Sequence, residues 1–476
     1  MGGLFGALNS SVSALDALQN ALDVAQNNVS NSSTPGYSNQ IPTFEAQPFN
    51  VSGGLDGGVN SGPTQSTDDV YADQAVWTQL AQQGNYTAQS TALSSIQSLF
   101  DVTGQTGVLG ALNNLFQSFS AWSTDPDSSS NQQDVISQAQ AFAEQFQSAA
   151  SSLSQTTTQL NQQISGAVGQ INSLASQIAT DNAAIAQSQP PDPNVQANLQ
   201  AAIENLSQVA DVTVQYASNG TATVLLGGQS ELVVGSQQYS IQANFANATG
   251  GNANAVPNAQ ILDSNGDDIT ADISQGSLGG LLYVRNTVLP SLQGNGQQQG
   301  SLNVLAQQVA DQVNQILTSA QTTGGQAGTA LFTYDAASPV DVAATLAVNP
   351  SITGDELAPV DPGPPEVGNG AALALSNLGN STASTSATDG QTILEYSASI
   401  ATQVGQQASD AQTGQTLHTQ LLAQAQSVQT QISGVSLDAE AALVLQLQEG
   451  YDAAGKMVTV ISSLATTLIN MVPSTA

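Results

Sequence analysis

Residues 444–472 read VLQLQEGYDAAGKMVTVISSLATTLINMV. Val444, Tyr451, Val458, Ala465 and Val472 recur every seven residues, and Leu447, Ala454, Ile461 and Leu468 form a second line beside them. Sustained a/d spacing of this kind buries one narrow seam against another helix. The other end of the chain carries a matching pattern. Leu8, Leu15, Leu22 and Val29 make one line, and Leu4, Leu18 and Ala25 make the other, interrupted only by Ser11. Two such seams at opposite termini predict that the ends meet in a coiled coil and that everything between them is an insertion. A chain closed in this way suits a rod segment or subunit better than a globular enzyme.

Composition narrows the function classes. The 476 residues hold 2 Lys+Arg against 35 Asp+Glu, a formal net charge of −33, and only 8% are charged. Such a surface has nothing to neutralise a nucleic-acid backbone and is not drawn to anionic membranes. Arg285 and Lys456 are the only strong cations, so cohesion must come from apolar burial and neutral hydrogen bonds. Without cysteine there is neither a disulfide nor a thiolate metal site. The N-terminus lacks the basic and apolar regions of a conventional signal peptide. No stretch reaches the ~18 apolar residues of a membrane span; the C-terminal repeat is interrupted by Ser462, Ser463, Thr466, Thr467 and Asn470.

The first helix is predicted from about Leu4 to Val29, roughly 39 Å at 1.5 Å per residue. It stops at NSSTPG, residues 31–36, a cluster of helix breakers and turn formers. A Gly-rich loop, Val51 to Gly62, follows. Helical spacing returns from Asp69 to Phe100 and from Leu109 to Trp122. The longest run takes in Ala139, Phe142, Phe146, Ala149, Leu153, Leu160, Ile164, Ala167, Ile171, Leu174 and Ile178. Its second apolar line shifts after Ala149, a local change of supercoil, and Pro190, Pro191 and Pro193 end it.

The character then turns β-prone. Residues 211–216, 221–226 and 231–234 are short strand-like runs, punctuated by the turn pairs Asn219-Gly220 and Gly227-Gly228. Tyr239 to Phe245 and Ala259 to Leu262 extend the region. Helical spacing resumes at Leu302, Leu305, Val309, Val313 and Ile316. A loop-rich stretch from Gly324 to Gly390 precedes a last body helix from Ile393 through Tyr396, Ile400, Val404 and Ala408 to Ile432. The expected fold is mainly α with a small inserted β domain, its long-helix bundle built from both halves of the chain. The expected division is 1–45 plus 433–476 for the terminal coiled coil, 46–206 plus 285–432 for the helical body, and 207–284 for the β domain.

The candidate chemical sites resolve into structural readings. Asp263-Ser264-Asn265-Gly266-Asp267-Asp268 has calcium-loop residues, but Ser274 stands where an EF-hand needs its Glu. Asn265-Gly266 between Ile261-Leu262 and Ile269-Thr270 reads as a hairpin turn. His418, the single histidine, has no Cys or second His to share a metal and reads as a helix side chain between Leu417 and Leu421. Arg285 is expected to make a local pair or cap carbonyls, and Lys456 falls on the outward face of the C-terminal repeat. The adjacent acids Asp68-Asp69 and Asp267-Asp268 would point apart in a strand. No catalytic residue, cofactor or metal is expected. Thr34-Pro35-Gly36-Tyr37 combines a helix stop with a tyrosine able to offer both ring area and a hydroxyl to a neighbouring subunit.

Particular residues carry a family resemblance. NNVSNSSTPGYSNQ, residues 27–40, resembles the signature closing the first helix of bacterial flagellar rod, hook and hook-associated axial proteins. Leu437-Asp438-Ala439-Glu440, followed by Gln448 and Tyr451, is similar to the closing signature of that family. The middle selects its hook-associated branch. Gly279, Gly280, Leu281, Leu282, Tyr283, Val284 and Arg285 to Leu289-Pro290, then Leu302, Leu305, Ala306, Val313 and Asn314, resemble that branch. Gly328 to Phe332, Val348-Asn349-Pro350 and Gly368 to Leu378 match it less tightly. Asn39 departs from the usual Arg, and a motif rich in Asp and Arg expected near Leu199 to Leu206 is largely neutral here.

The resemblance implies a structural subunit polymerising at the hook–filament junction and exported through the flagellar type III apparatus, with an export chaperone. Its implied partners are copies of itself in a ring or helical array, the hook protein and a second junction protein. The terminal helices are implied to order on assembly into an inner tube. Leu8, Leu15, Leu18, Leu22, Val29, Thr34 to Tyr37, Leu447, Tyr451, Val458, Ile461 and Leu468 are the expected subunit-interface residues. Other classes are another axial protein, such as a hook or filament subunit, and an extracellular adhesin or hydrolase carried on the scaffold. The charge adds an expectation of its own. Assembly should strengthen as pH falls toward the sequence pI of about 4.1 and as salt screens the carboxylates, which sedimentation across pH and salt checks.

Overall fold

A computed structural model describes residues 2–50, 56–100, 105–188, 191–246, 257–295, 298–381, 388 and 390–471. Val472 of the terminal repeat, Pro190 and the start of the expected loop at Val51 lie outside these. α1 (Gly2–Asn31) is followed by β1 (Gln40–Ile41), β2 (Phe44–Asn50), β3 (Asp56–Ser61) and β4 (Gln65–Ser66). Then come α2 (Val70–Gln97), α3 (Gly107–Thr124), α4 (Ser129–Gln187) and α5 (Pro193–Val209). The β region holds β5 (Val212–Tyr216), β6 (Ala222–Leu226), β7 (Ser230–Val234), β8 (Gln237–Gln238), β9 (Gln242–Asn244) and β10 (Gln260–Leu262). After it come α6 (Gly276–Tyr283), a π turn (Val284–Val288), α7 (Leu289–Gln293), α8 (Ser301–Thr318), β11 (Phe332–Thr333), α9 (Val342–Thr345), β12 (Ala347–Val348) and α10 (Gly370–Asn377). α11 (Ile393–Ser433) and α12 (Leu437–Met471) come last. The protein is 66% helical, mainly α with a small β insertion.

α4 runs for 59 residues, about 88 Å at 1.5 Å per residue. Its buried residues step by three and four, with two consecutive steps of four at Ala149, Leu153 and Thr157 and again at Ala167, Ile171 and Ala175. These insertions relax a strict heptad and account for the shifted apolar line. Ala175, not Leu174, occupies the second shift. One continuous core then joins α2, α3, α4, α5, the β5–β8 sheet, α6, α8 and α11. Among the described residues no side chain of α1 or α12 enters it.

The β region is a four-stranded antiparallel sheet in the order β5-β6-β7-β8, with β9 and β10 paired separately. Gly227 and Gly228 both take positive φ, +58° and +75°, which is what a two-residue turn twisting with its strands requires. At Asp263 to Asp268 the chain reverses. Asp263 accepts from the amides of Asn265 and Asp267, and Leu262 bridges Asp268. The carboxylate is thus engaged in building the turn.

Two segments depart from the sequence reading. The Gly-rich stretch after Phe44 is a hairpin, β2 with β3, and it lies along α1, where Gly58 reaches Ser10. The sequence division had placed it with the body. Residues 276–283, assigned to the β domain, are helical and pack against α2. Their glycines allow that contact: a Cβ on Gly280 would stand 2.3 Å from the Asn85 carbonyl, and one on Gly279 2.6 Å from Ser274. Gly280→Ala should therefore destabilise the fold by about 1–3 kcal/mol, read as a lowered denaturant midpoint. The π turn has its own cause. Pro290 has no N–H to give Asn286 and its ring crowds that carbonyl, so Leu289 donates instead to Val284, five residues back.

Candidate functional site at the neck and terminal coil

α1 and α12 pair with each other, as their seams require. Leu18 approaches Gly450, and Leu447 and Ile461 are buried. Ala17, Ala21 and Ala25 are almost wholly buried on α1, small residues that admit a close neighbour. Leu8, Leu15, Leu22 and Val458 are half-buried. Val29, Tyr451 and Leu468 remain 41%, 38% and 46% exposed, so one chain covers only part of its own seam. Both terminal helices are formed and paired in the structure, where the resemblance implied that they order on assembly. α12 is also apolar beyond the seam: Leu445, Met457, Val460, Leu464 and Ile469 are all exposed. Lys456 is exposed.

Three chain segments meet where the coil joins the body. Asn28, fully buried, donates its side-chain amide to the Gln40 carbonyl at 2.8 Å and accepts the Gln40 N–H at 3.0 Å. Asn28 thus acts as an extra residue of sheet ladder at the end of α1. Tyr37 donates its hydroxyl to the same Asn28 oxygen at 2.9 Å. Burial and the nearby Glu440 carboxylate push the Tyr37 hydroxyl up to about 12, which keeps it a donor. Asn39 N–H donates to the Ser433 carbonyl at 2.8 Å, and Thr67 N–H donates to the Asn39 carbonyl at 2.9 Å. The Ser433 hydroxyl returns to the Thr67 carbonyl. Neutral hydrogen bonds therefore tie residues 28–40, 65–67 and 433 together without a cation.

Tyr37 is half-buried, Thr34 and Pro35 are exposed, and Gly36 has φ +73°. A Cβ on Gly36 would stand 2.4 Å from the Ala197 carbonyl. The turn therefore docks directly onto α5, and only Gly fits. The Tyr37 hydroxyl is engaged within its own chain. Tyr37→Phe should cost about 1 kcal/mol and speed hydrogen exchange at the Gln40 amide, whose Asn28 partner loses its anchor.

Below the turn lies a cavity of about 200 Å³ bordered by Gly36, Ser38, Asp68, Gln200 and Tyr216. A carboxyl cluster stands beside it. Asp73 of α2 is 1% exposed. It accepts from Gln429 of α11 at 2.7 Å, and the same amide reaches Glu204 of α5 at 3.2 Å. Burial, then the charge of Asp68, raises the Asp73 carboxyl to about 7. Burial also raises Glu204 and Tyr216. Sequence reasoning missed Asp73, Glu204, Gln429 and Asn28; the available signal was an acid between Ala72 and Val76 on the apolar face of α2. Asp68 and Asp69 are not in a strand. Asp69 caps α2, accepting from Tyr71 and Ala72.

The central motif places Gly279, Gly280, Leu281 and Leu282 against α2 and buries both leucines. Arg285 is fully buried. It donates to Asn161 Oδ1 and the Pro257 carbonyl, each at 2.8 Å. Among the described residues Nη1 has no partner. Burial lowers the guanidinium to about 10, leaving it charged at neutral pH. It caps a carbonyl, as expected, and joins α4 to the segment before β10. His418 stacks on Tyr86 with ring centres 5.3 Å apart and meets Gln79 at 3.0 Å. No group of three or more metal-ligating residues occurs among the described residues, and none of their helices is long and apolar enough to cross a membrane.

The family model for the flagellar hook-associated protein FlgK helical domain matches residues 93–332. That for flagella basal body rod protein matches residues 8–37, the first helix and its Thr34–Tyr37 stop. Flagellar hook-associated protein 1 of Bacillus subtilis is 26% identical across 98% of this chain and 98% of its own length. Its Escherichia coli counterpart is 22% identical over 59% of this chain and 52% of its own. The structure of the flagellar hook junction protein FlgK from Burkholderia pseudomallei superposes with a TM-score of 0.63 at 17% identity, covering 76% of this chain and all of that one. That likeness is one of fold.

Proposed function

The chain belongs to the flagellar hook-associated protein FlgK family, and from that premise we propose that it is a structural subunit joining hook to filament. The observation that carries this reading is the pairing of a family match through the body with a terminal coil that one chain leaves half covered. Exposed Met457, Val460 and Leu464 beside the Leu447 and Ile461 seam give neighbouring copies an apolar surface to cover. Association through that surface needs no ion pairs, which suits a chain with 2 Lys+Arg. The 59-residue α4 argues against a hook subunit with a β-rich middle.

The finer parts of the proposal follow from the family. Copies of the chain form a ring or helical array between the hook protein and a second junction protein, outside the cell on the flagellum. Export is through the flagellar type III apparatus, aided by a chaperone. α1 with its β2–β3 hairpin and α12 act as one unit, joined to the body at the neck. Its proposed interface comprises Leu8, Leu15, Leu18, Leu22, Val29, Thr34, Pro35, Gly36, Tyr37, Leu447, Tyr451, Val458, Ile461 and Leu468, of which Leu447 and Ile461 are already covered by the chain's own coil. The role is mechanical, not catalytic. Deleting the gene and imaging the cells tests this: intact hooks without filaments support it, and loss of the hooks themselves assigns the chain to the hook.

A further inference from the structure

The chain has two strong cations, and the body uses one of them. Arg285 is buried there and bonded to Asn161 and Pro257. Lys456, the other, is exposed on α12. Among the described residues no carboxylate pairs with it, not even Asp452 one turn earlier on the same helix. It shares a helix face with the exposed Val460 and Leu464, at successive steps of four residues. α1 carries a second exposed face of mixed character. Phe5 and Val12 are 63% and 41% exposed, and Asp16, exposed as well, follows one turn after Val12. Asp23, the other acid of α1, accepts from Gln19 at 3.0 Å, whereas Asp16 has no partner among the described residues.

The two faces match in height along the coil. Leu18 lies against Gly450, and Leu4, Phe5 and Leu8 share a groove with Ile461, Ala465 and Leu468, so α1 and α12 run antiparallel. By that register Phe5 is level with Leu464, Val12 with Met457, and Asp16 with Asp452, one turn or ~5 Å from Lys456. Copies set side by side at one height therefore oppose apolar to apolar and bring Asp16 of one to Asp452 of the next. Those carboxylates would repel, and the chain's one exposed lysine stands a turn away. We propose that copies pack head to tail, the Phe5–Val12–Asp16 face of α1 in one against the Lys456–Val460–Leu464 face of α12 in the next, with Lys456 between its own Asp452 and the neighbour's Asp16. This rests on the reading of the chain as a self-assembling subunit and specifies how its coils meet. Such a contact repeats from copy to copy and builds a ring or a helix. Apolar burial supplies most of the association; the lysine fixes the register by offsetting the like charges.

The test is a charge exchange in the full chain, expressed in a strain deleted for the gene. Lys456→Glu gathers three carboxylates at one height and should lower the number of attached filaments about tenfold. Adding Asp16→Lys to that variant restores one cation between two carboxylates and should bring the filaments back. All the side chains exchanged are exposed, so the melting temperatures should stay native. A second readout keeps the native charges. The chain has no cysteine, so Val12→Cys with Met457→Cys gives two defined thiols, and a short bismaleimide applied to isolated flagella should yield a ladder of linked copies. Native filament numbers with Lys456→Glu, failure of Asp16→Lys to restore them, or linked products confined to single chains would each overturn the proposal. None of these results would touch the junction role, which is read from the bare hooks of the deletion strain itself.

Discussion

Asp73→Asn is expected to remove most of the loss of stability that the native protein suffers between about pH 4 and pH 7. In the folded chain Asp73 keeps its proton up to about 7, against the ordinary value of 3.8. Between those values the folded state binds more protons than the unfolded one, so stability falls as pH rises through this window and is greatest below it. The size is on the order of 2–4 kcal/mol, since one pKa unit is about 1.4 kcal/mol. Glu204 and Asp211 are raised as well and contribute with the same sign. Asp263 and Asp268 are lowered and oppose it, but both are on an exposed turn. Asn keeps an oxygen to accept the Gln429 bond and carries no charge at any pH. Urea unfolding at pH 4.5, 6 and 7.5 reads the effect. The native curve should fall with pH, and the variant should lose most of that slope and be the more stable at pH 7.5.

Arg285→Ala should destabilise the body by roughly 2–5 kcal/mol, and Arg285→Met by much less. Arg285 is among the largest side chains that the fold buries completely. Its guanidinium faces neutral acceptors, Asn161 Oδ1 and the Pro257 carbonyl, and among the described residues no carboxylate pairs with it to offset the cost of burying charge. Its value therefore lies mainly in the volume and the apolar stem that fill the space between α4 and the π turn. Methionine keeps the stem and gives up the charge; alanine gives up both. Denaturant midpoints of the two variants decide the matter. Equal losses would assign the stabilisation to the guanidinium bonds instead.

The seams at the two termini were legible because a seven-residue period survives polar substitution elsewhere. The pairing of α1 with α12 follows from that period alone. α4 was legible for the same reason, down to the shift after Ala149 that its 3-4-4 spacing produces. The hairpin after Phe44 was not. Its strands carry Pro48 and two adjacent glycines, Gly57 and Gly58, which argue against a strand read in isolation. Lying along α1 gives it the support its own sequence lacks. Residues 276–283 were read into the β domain because a glycine pair lowers helix propensity. Their reason is tertiary: α2 passes too close for a side chain at Gly280. The neck was half legible. Thr34-Pro35-Gly36-Tyr37 announced a turn, but no periodicity tells that Asn28 will imitate a strand residue or that Asp73 will be the acid the fold buries. Pairings across 12 and 356 residues depend on the assembled fold.

The central claim is that the terminal coil joins subunits while the body folds without it, since the continuous core contains no residue of α1 or α12 among those described. The most direct measurement is complementation of a deletion strain with a chain carrying Met457→Asp, Val460→Asp and Leu464→Asp on the exposed face of α12. The variant should be exported and should melt like the native chain, yet leave cells with bare hooks and filament protein shed into the medium. Restoration of full-length filaments by a variant confirmed to carry all three charges would contradict the account.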